Sequence, residues 1–129
     1  MEYAVHYAKG PDATREVVAK IRKDRSNTGF PIEYRSVAAD DVWISPFHGR
    51  ESATIAVHQY RTIDTKPYFD VCEEIFKRYE GRPHWGKRHS RASRDLAMVY
   101  PEFGRFQELR KRLDPGGKFL NAHLRTIFE

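Results

Sequence analysis

In three stretches of this chain the side chains sort by odd and even position, and that period of two limits the fold more than any other feature. In residues 2–7, Tyr3, Val5 and Tyr7 share one side and Glu2, Ala4 and His6 the other. In residues 30–37, Ile32, Tyr34 and Ser36 oppose Glu33, Arg35 and Val37; in residues 53–61, Ile55, Val57 and Gln59 oppose Ala56, His58 and Tyr60. Each stretch reads as a strand. Gly10-Pro11-Asp12 ends the first and opens a helix over 11–25, where Ala13, Val17, Val18 and Ile21 recur at helical spacing and Arg15, Lys20, Arg22 and Lys23 fill the outer face. Ser26-Asn27-Thr28-Gly29 closes that helix. Residues 38–52 read as a loop in which Val42-Trp43-Ile44 packs down.

Lys66-Pro67 starts a second helix, with Pro where its missing N–H costs little; Phe69, Cys72, Ile75, Phe76 and Tyr79 follow, and Gly81 stops it. A third helix opens at Tyr100-Pro101-Glu102, lines up Phe103, Phe106, Leu109 and Leu113, and ends at Asp114-Pro115-Gly116-Gly117. In the tail, Leu120, Leu124 and Ile127 form a short apolar series. The order β-α-β-β-α-loop-α predicts an α+β fold: a small antiparallel sheet with helices packed on one face.

A length of 129 residues suits one domain with a modest core. With 40% hydrophobic and 32% charged residues and a mean hydropathy of −0.75, the composition is that of a soluble globular protein rather than a disordered or membrane one. No apolar run approaches the roughly 18 residues a spanning helix needs. The first residues lack a basic segment followed by an apolar one, so the expectation is a cytoplasmic protein. Cys72 is the single cysteine, which excludes an internal disulfide and reads as a buried small hydrophobe.

The net charge of +5 is concentrated. Between Gly81 and Arg94 lie Arg82, Lys87, Arg88, Arg91 and Arg94 and no carboxylate, a pattern that suits nucleic acid, a phosphorylated ligand or plain solvation. Within it the segment Gly81-Arg82-Pro83-His84-Trp85-Gly86-Lys87-Arg88-His89 builds neither a helix nor a strand well. Pro83 restricts the backbone, Gly86 allows a turn, and Trp85 between them predicts a loop packed down on the domain. His84 and Lys87 are then presented from a fixed backbone, able to donate to a bound oxygen or to stabilise negative charge on a cofactor. A metal shared by His58, His84 and His89 has only a His-x4-His spacing behind it, so the metal reading is set aside.

Glu33 and Arg35, two apart on a strand, point to the same face; they either converge on a polyhydroxylated ligand or form a surface ion pair. His58, in a largely apolar strand, is either a general base or a hydrogen-bonded core residue, and its value rises if the second and third strands are neighbours.

Several segments together carry a family resemblance: Met1-Glu2-Tyr3-Ala4-Val5, Pro31-Ile32-Glu33-Tyr34-Arg35, Trp43-Ile44-Ser45-Pro46, Arg82-Pro83-His84-Trp85-Gly86-Lys87, Tyr100-Pro101, and Leu113-Asp114-Pro115 followed by Phe119-Leu120-Asn121. They resemble the C-terminal part of the aldonolactone oxidase and alditol oxidase group within the vanillyl-alcohol-oxidase-type FAD family, over nearly the whole chain. The resemblance implies a single substrate-binding domain over 1–129 of a larger flavoenzyme that oxidises a sugar-1,4-lactone or an alditol. It implies that His58 takes the hydroxyl proton, that Glu33, Arg35, Tyr60 and Lys87 hold the substrate, and that His84, Lys87 and Asn121 lie near FAD. Tyr60 stands where alditol oxidases carry a smaller polar residue. No FAD-binding domain is recognisable in these residues, so the isolated chain is expected to be inactive, to self-associate, and to work with a flavin-bearing domain in the same or another chain. The resemblance also allows membrane association, as in some relatives. The alternative is a non-catalytic module that uses the basic 82–94 loop for nucleic acid or phosphorylated ligands.

Overall fold

The computed structural model describes residues 1–23 and 30–129. Its elements in order are β1 (Glu2–His6), a 3-10 turn (Tyr7–Lys9), α1 (Gly10–Lys23), β2 (Glu33–Val37), β3 (Ser52–Ala56), α2 (Lys66–Arg78), β4 (Arg82–Pro83), α3 (Ser93–Val99), α4 (Phe103–Leu113) and α5 (Ala122–Phe128). The strands form one antiparallel sheet in the order β2-β3-β1-β4. The expected α+β architecture is therefore present. The expected turn at 26–29 and the last residues of the first helix lie outside the described residues.

The odd-numbered face of β1 and β3 is the apolar one. Tyr3, Val5, Ala53, Ile55 and Val57 meet Ala13 and Val17 of α1 and Phe69, Cys72, Ile75 and Phe76 of α2 in one buried cluster. Helix α1 starts flush on the sheet at Gly10. A Cβ there would lie 2.5 Å from the Ala53 Cβ and closer still to the Tyr34 hydroxyl, so the close approach requires glycine. Cys72 is buried beside this core and its thiol is pushed up to about 12 by burial, consistent with an inert packing role.

Several boundaries differ from the sequence-based expectation, each for a backbone reason. Tyr7 leaves the first strand for the 3-10 turn, capped when His6 Nδ1 accepts from Ala8 N at 3.3 Å, and is exposed. The third strand ends at Ala56, not Arg61, because its neighbours begin at Glu2 and Glu33, although Val57 N still donates to Met1 O at 3.0 Å. For the same reason β2 begins at Glu33, after Pro31, which has no N–H to donate. The segment expected to be a loop after α2 contains β4 and α3. Helix α3 is short, with the Asp95 carboxylate accepting from Ala92 N at 3.3 Å. Helix α5 is capped by Asn121, whose side-chain oxygen accepts from Leu124 N at 2.8 Å.

A second apolar cluster, Leu96, Tyr100, Phe103, Ile127 and Phe128, knits α3, α4 and α5 together, with Trp85 packed against it. The Trp85 ring lies 4.9 Å from that of Tyr100 and 5.9 Å from that of Phe128. Trp85 thus joins the helical layer to the end of β4.

Candidate functional site

The register decides which polar residues meet. Glu33 pairs with Ala56, which pairs with Glu2; Arg35 pairs with Thr54, which pairs with Ala4, which pairs with Arg82. Paired residues share a face, so all of these project from the side of the sheet away from α1 and α2. Between Glu33 and Arg35 on one strand and Glu2 two strands away stand only the short side chains of Ala56 and Thr54. Across that low floor Arg35 reaches Glu2, with a guanidinium nitrogen 3.4 Å from its carboxylate, while also holding Glu33. Lys87 closes on Glu2 from the β4 side, and His58 Nε2 lies 3.5 Å from Glu33 Oε1. The result is one line of alternating donors and acceptors, Lys87, Glu2, Arg35, Glu33 and His58, spanning the sheet.

Glu2 is the buried member, with 7% of its surface exposed. Burial pushes its carboxyl up, but the Lys87 hydrogen bond and charge, together with His84 and Arg35, outweigh burial and hold it below its ordinary range. It is therefore a carboxylate at neutral pH that keeps Lys87 and Arg35 in place. Alternation alone puts Glu2 on the non-apolar side of its strand, yet nothing local marks it as part of a site; that needs the strand order.

The loop that carries Lys87 is held from both ends. After α2, Glu80 takes a left-handed φ of 52°, and Gly81 N donates to Phe76 O at 2.9 Å. Arg82 and Pro83 then pair with Ala4 and Tyr3, and His84 N donates to Glu2 O at 3.0 Å, one step further along β1. Arg82 is buried and donates to the carbonyls of Val99 at 2.6 Å, His48 at 2.8 Å and Pro46 at 3.3 Å. Tyr100 donates its hydroxyl to Pro83 O at 2.7 Å, and the Trp85 indole donates to Ile44 O at 2.7 Å. A tight turn follows: Lys87 N donates to His84 O at 3.0 Å, and His84 Nδ1 accepts from Gly86 N at 3.0 Å. The Pro, Trp and Gly of this segment thus serve to present Lys87.

Tyr60 lies beyond the end of β3 and is exposed; its ring lies 4.5 Å from Phe30, which also flanks His58 at 6.2 Å. His84 is exposed at the rim. Asn121 spends its side-chain oxygen on the α5 cap, leaving its amide N–H groups for any other contact. His89 faces His123, with ring centres 6.2 Å apart, rather than His58. The basic segment is not one exposed patch: Arg82 and Arg91 are buried, Lys87 is paired with Glu2, and Arg88 bonds Thr65. A cleft of about 790 Å³ lies on the helix side, lined by Gln59, Arg61, Phe69, Glu73, Arg88 and Ser90, and does not coincide with the charged line. No described helix is long and apolar enough to cross a membrane.

Residues 1–127 match the family model described as D-arabinono-1,4-lactone oxidase. The chain belongs to the D-arabinono-1,4-lactone oxidase family. Among its relatives, it is 42% identical to L-gulono-1,4-lactone dehydrogenase of Mycobacterium tuberculosis over 98% of this chain and 30% of that protein. It is also 42% identical to L-gulonolactone oxidase of Scyliorhinus torazame over 77% of this chain and 23% of that protein. With alditol oxidase of a Streptomyces species it shares 35% identity over 99% of this chain and 31% of that protein. The chain thus spans about a third or less of the length of these family members.

Proposed function

We propose that this chain is the substrate-binding part of an FAD-dependent oxidoreductase acting on a sugar-1,4-lactone or an alditol CH–OH group. The observation that carries the reading is the line Lys87, Glu2, Arg35, Glu33 and His58 on one half-open sheet face. Alternating donors and carboxylate acceptors are what a polyol needs, since each hydroxyl both donates and accepts. Glu33 accepts from substrate hydroxyls, and Arg35 and Lys87 donate to hydroxyl or lactone oxygens. His58 takes the proton of the reacting hydroxyl at Nε2, where the neighbouring Glu33 carboxylate favours the imidazolium that forms.

The residues present fit one wall of a flavin site. The named strands are all antiparallel, so they offer no parallel crossover with a helix N-terminus for a pyrophosphate, while His84 and Lys87 stand at the rim where a ring system could be approached. FAD, when bound, supplies the hydride acceptor. We assign its main binding contacts to residues outside this chain, in agreement with the share of its relatives that the chain spans.

The groove on α4 and α5 supports the same division. It is lined by Phe106, Leu109, Leu113, Phe119 and Leu124, and Leu113 and Phe119 are 73% and 82% exposed. We assign it to contact with the flavin-bearing part, and the isolated chain is expected to self-associate there. A monodisperse monomer in sedimentation would count against this assignment.

The deciding experiment is anaerobic flavin reduction in the flavin-loaded full-length protein, with L-gulono- and D-arabinono-1,4-lactones and with xylitol. One of these should bleach the flavin, and His58→Ala should slow bleaching about 10²- to 10⁴-fold. No bleaching with any lactone or polyol rejects the proposal.

A further inference from the structure

Behind the charged line, on the opposite side of the sheet, α2 buries a carboxylate that the proposed chemistry does not use. Glu73 is buried at the edge of the apolar cluster. Its Oε1 accepts from the Tyr3 hydroxyl at 2.5 Å and from Ser90 N at 2.6 Å. Lys77 stands 3.6 Å from its Oε2 and donates to Ser90 Oγ at 3.1 Å. Burial raises the Glu73 carboxyl, but the bonds from Ser90 and Tyr3 and the Lys77 charge hold it below its ordinary range. An apolar core position is an expensive place for a charge unless it does something that packing alone does not.

The two donors are informative. Tyr3 follows Glu2 on β1, and Ser90 comes three residues after Lys87. Glu73 therefore grips, from behind, both chain segments whose side chains meet as the Glu2–Lys87 pair. The start of the 84–90 loop is held by β4, Trp85 and Tyr100. At its far end the part-buried Ser90 N–H is anchored on Glu73, alongside the Lys77 bond to the Ser90 hydroxyl and the exposed Arg88–Thr65 contact.

We propose that Glu73 is a positioning residue that sets the placement of Lys87 against Glu2, and through it the affinity for the polyhydroxylated substrate. This rests on the site reading above. Removing the Glu73 acceptor frees the Ser90 end of the loop, so Lys87 samples positions from which it no longer meets the substrate oxygen.

The test uses the flavin-loaded full-length protein with four variants: Glu73→Leu, Glu73→Gln, Lys87→Ala and Ile75→Ala. Two quantities are read besides turnover: the dissociation constant for the lactone or polyol, and amide hydrogen exchange over residues 84–91. Glu73→Leu should weaken binding about ten- to a hundredfold and speed exchange in that segment, as expected when a positioned group drifts. Glu73→Gln keeps an oxygen that accepts from Ser90 N, so it should restore most of both. Ile75→Ala, which damages the same helix without touching the loop, should lower the melting temperature and leave the dissociation constant unchanged. If Glu73→Leu does not fold, Tyr3→Phe/Glu73→Leu replaces both partners by apolar groups and is read in its place.

Should Lys87→Ala leave binding intact, the site reading itself falls. Should Lys87→Ala weaken binding while Glu73→Leu behaves like Ile75→Ala, the positioning role is overturned and the site reading survives.

Discussion

Lys87 and Glu2, separated by 85 positions in the chain, form an ion pair on the face of the sheet away from α1 and α2, and Glu2 is the more buried partner. Removing Lys87 leaves a shielded carboxylate with His84 and Arg35 to answer it. Lys87→Ala should therefore cost about 1–2 kcal/mol, less than a fully buried pair would, because water reaches the ammonium. Adding Glu2→Gln to that variant should recover part of the loss. Urea unfolding of the two single variants and the double variant measures the coupling, and strict additivity would show that the pair contributes nothing.

Two buried carboxylates contribute to acid sensitivity. Glu2 and Glu73 both titrate below their ordinary value of 4.5 in the folded state. A depressed folded value means that their stabilisation is complete above the unfolded value and is lost as pH falls through the folded one. The contribution of these two carboxylates should thus hold steady down to about pH 5 and drop below it, beneath an earlier decline from about pH 6.5 that His89 adds because burial lowers its folded value. Glu2→Gln should flatten that drop, which unfolding curves collected across this range would reveal; an unchanged slope contradicts the assignment.

At Gly10 even a methyl group has no room, because Ala53 is fully buried and cannot retreat. Gly10→Ala should destabilise by about 1–3 kcal/mol despite alanine's better helix propensity. Trimming the other neighbour, in Gly10→Ala/Tyr34→Ala, should not rescue it, since the Ala53 Cβ still blocks the new methyl group. Thermal melts of both variants distinguish this from a clash that Tyr34 alone creates.

Arg82 holds three carbonyls, two from the loop at residues 46–48 and one at the end of α3, and burial lowers its pKa without removing its charge. Arg82→Ala should cost about 2–3 kcal/mol and loosen the loop at residues 46–48. Arg82→Lys keeps the charge but not the fork, so it should recover less than half of that. Hydrogen exchange at residues 44–50 is the discriminating readout; protection equal to wild type would show that the carbonyls are held by something else.

Much of the candidate site is legible in the amino-acid sequence. Parity along β2 puts Glu33 and Arg35 on one face, and parity along the third strand puts His58 with Ala56. The Pro, Trp and Gly around Lys87 indicate a loop packed into place. What stays hidden is everything that depends on a neighbour distant in the chain. The third strand reads as running to Arg61 because its sequence stays β-prone past Ala56, although the strands that could pair with it have ended. Helix α3 is missed because seven residues with a single fully buried apolar side chain, Leu96, make a weak periodic signal.

The sequence alone settled the local facts: which residues alternate, which helices have an apolar face, and where Gly and Pro interrupt them. These follow from covalent geometry and side-chain chemistry within a few positions of each residue. Tertiary structure decided the strand order β2-β3-β1-β4 and its register. That order placed short Ala56 and Thr54 between Arg35 and Glu2, swung Lys87 onto Glu2, and set Glu73 behind them both. Ladder hydrogen bonds and ion pairs between residues tens of positions apart form only when whole elements pack together, and no short window of sequence contains both partners.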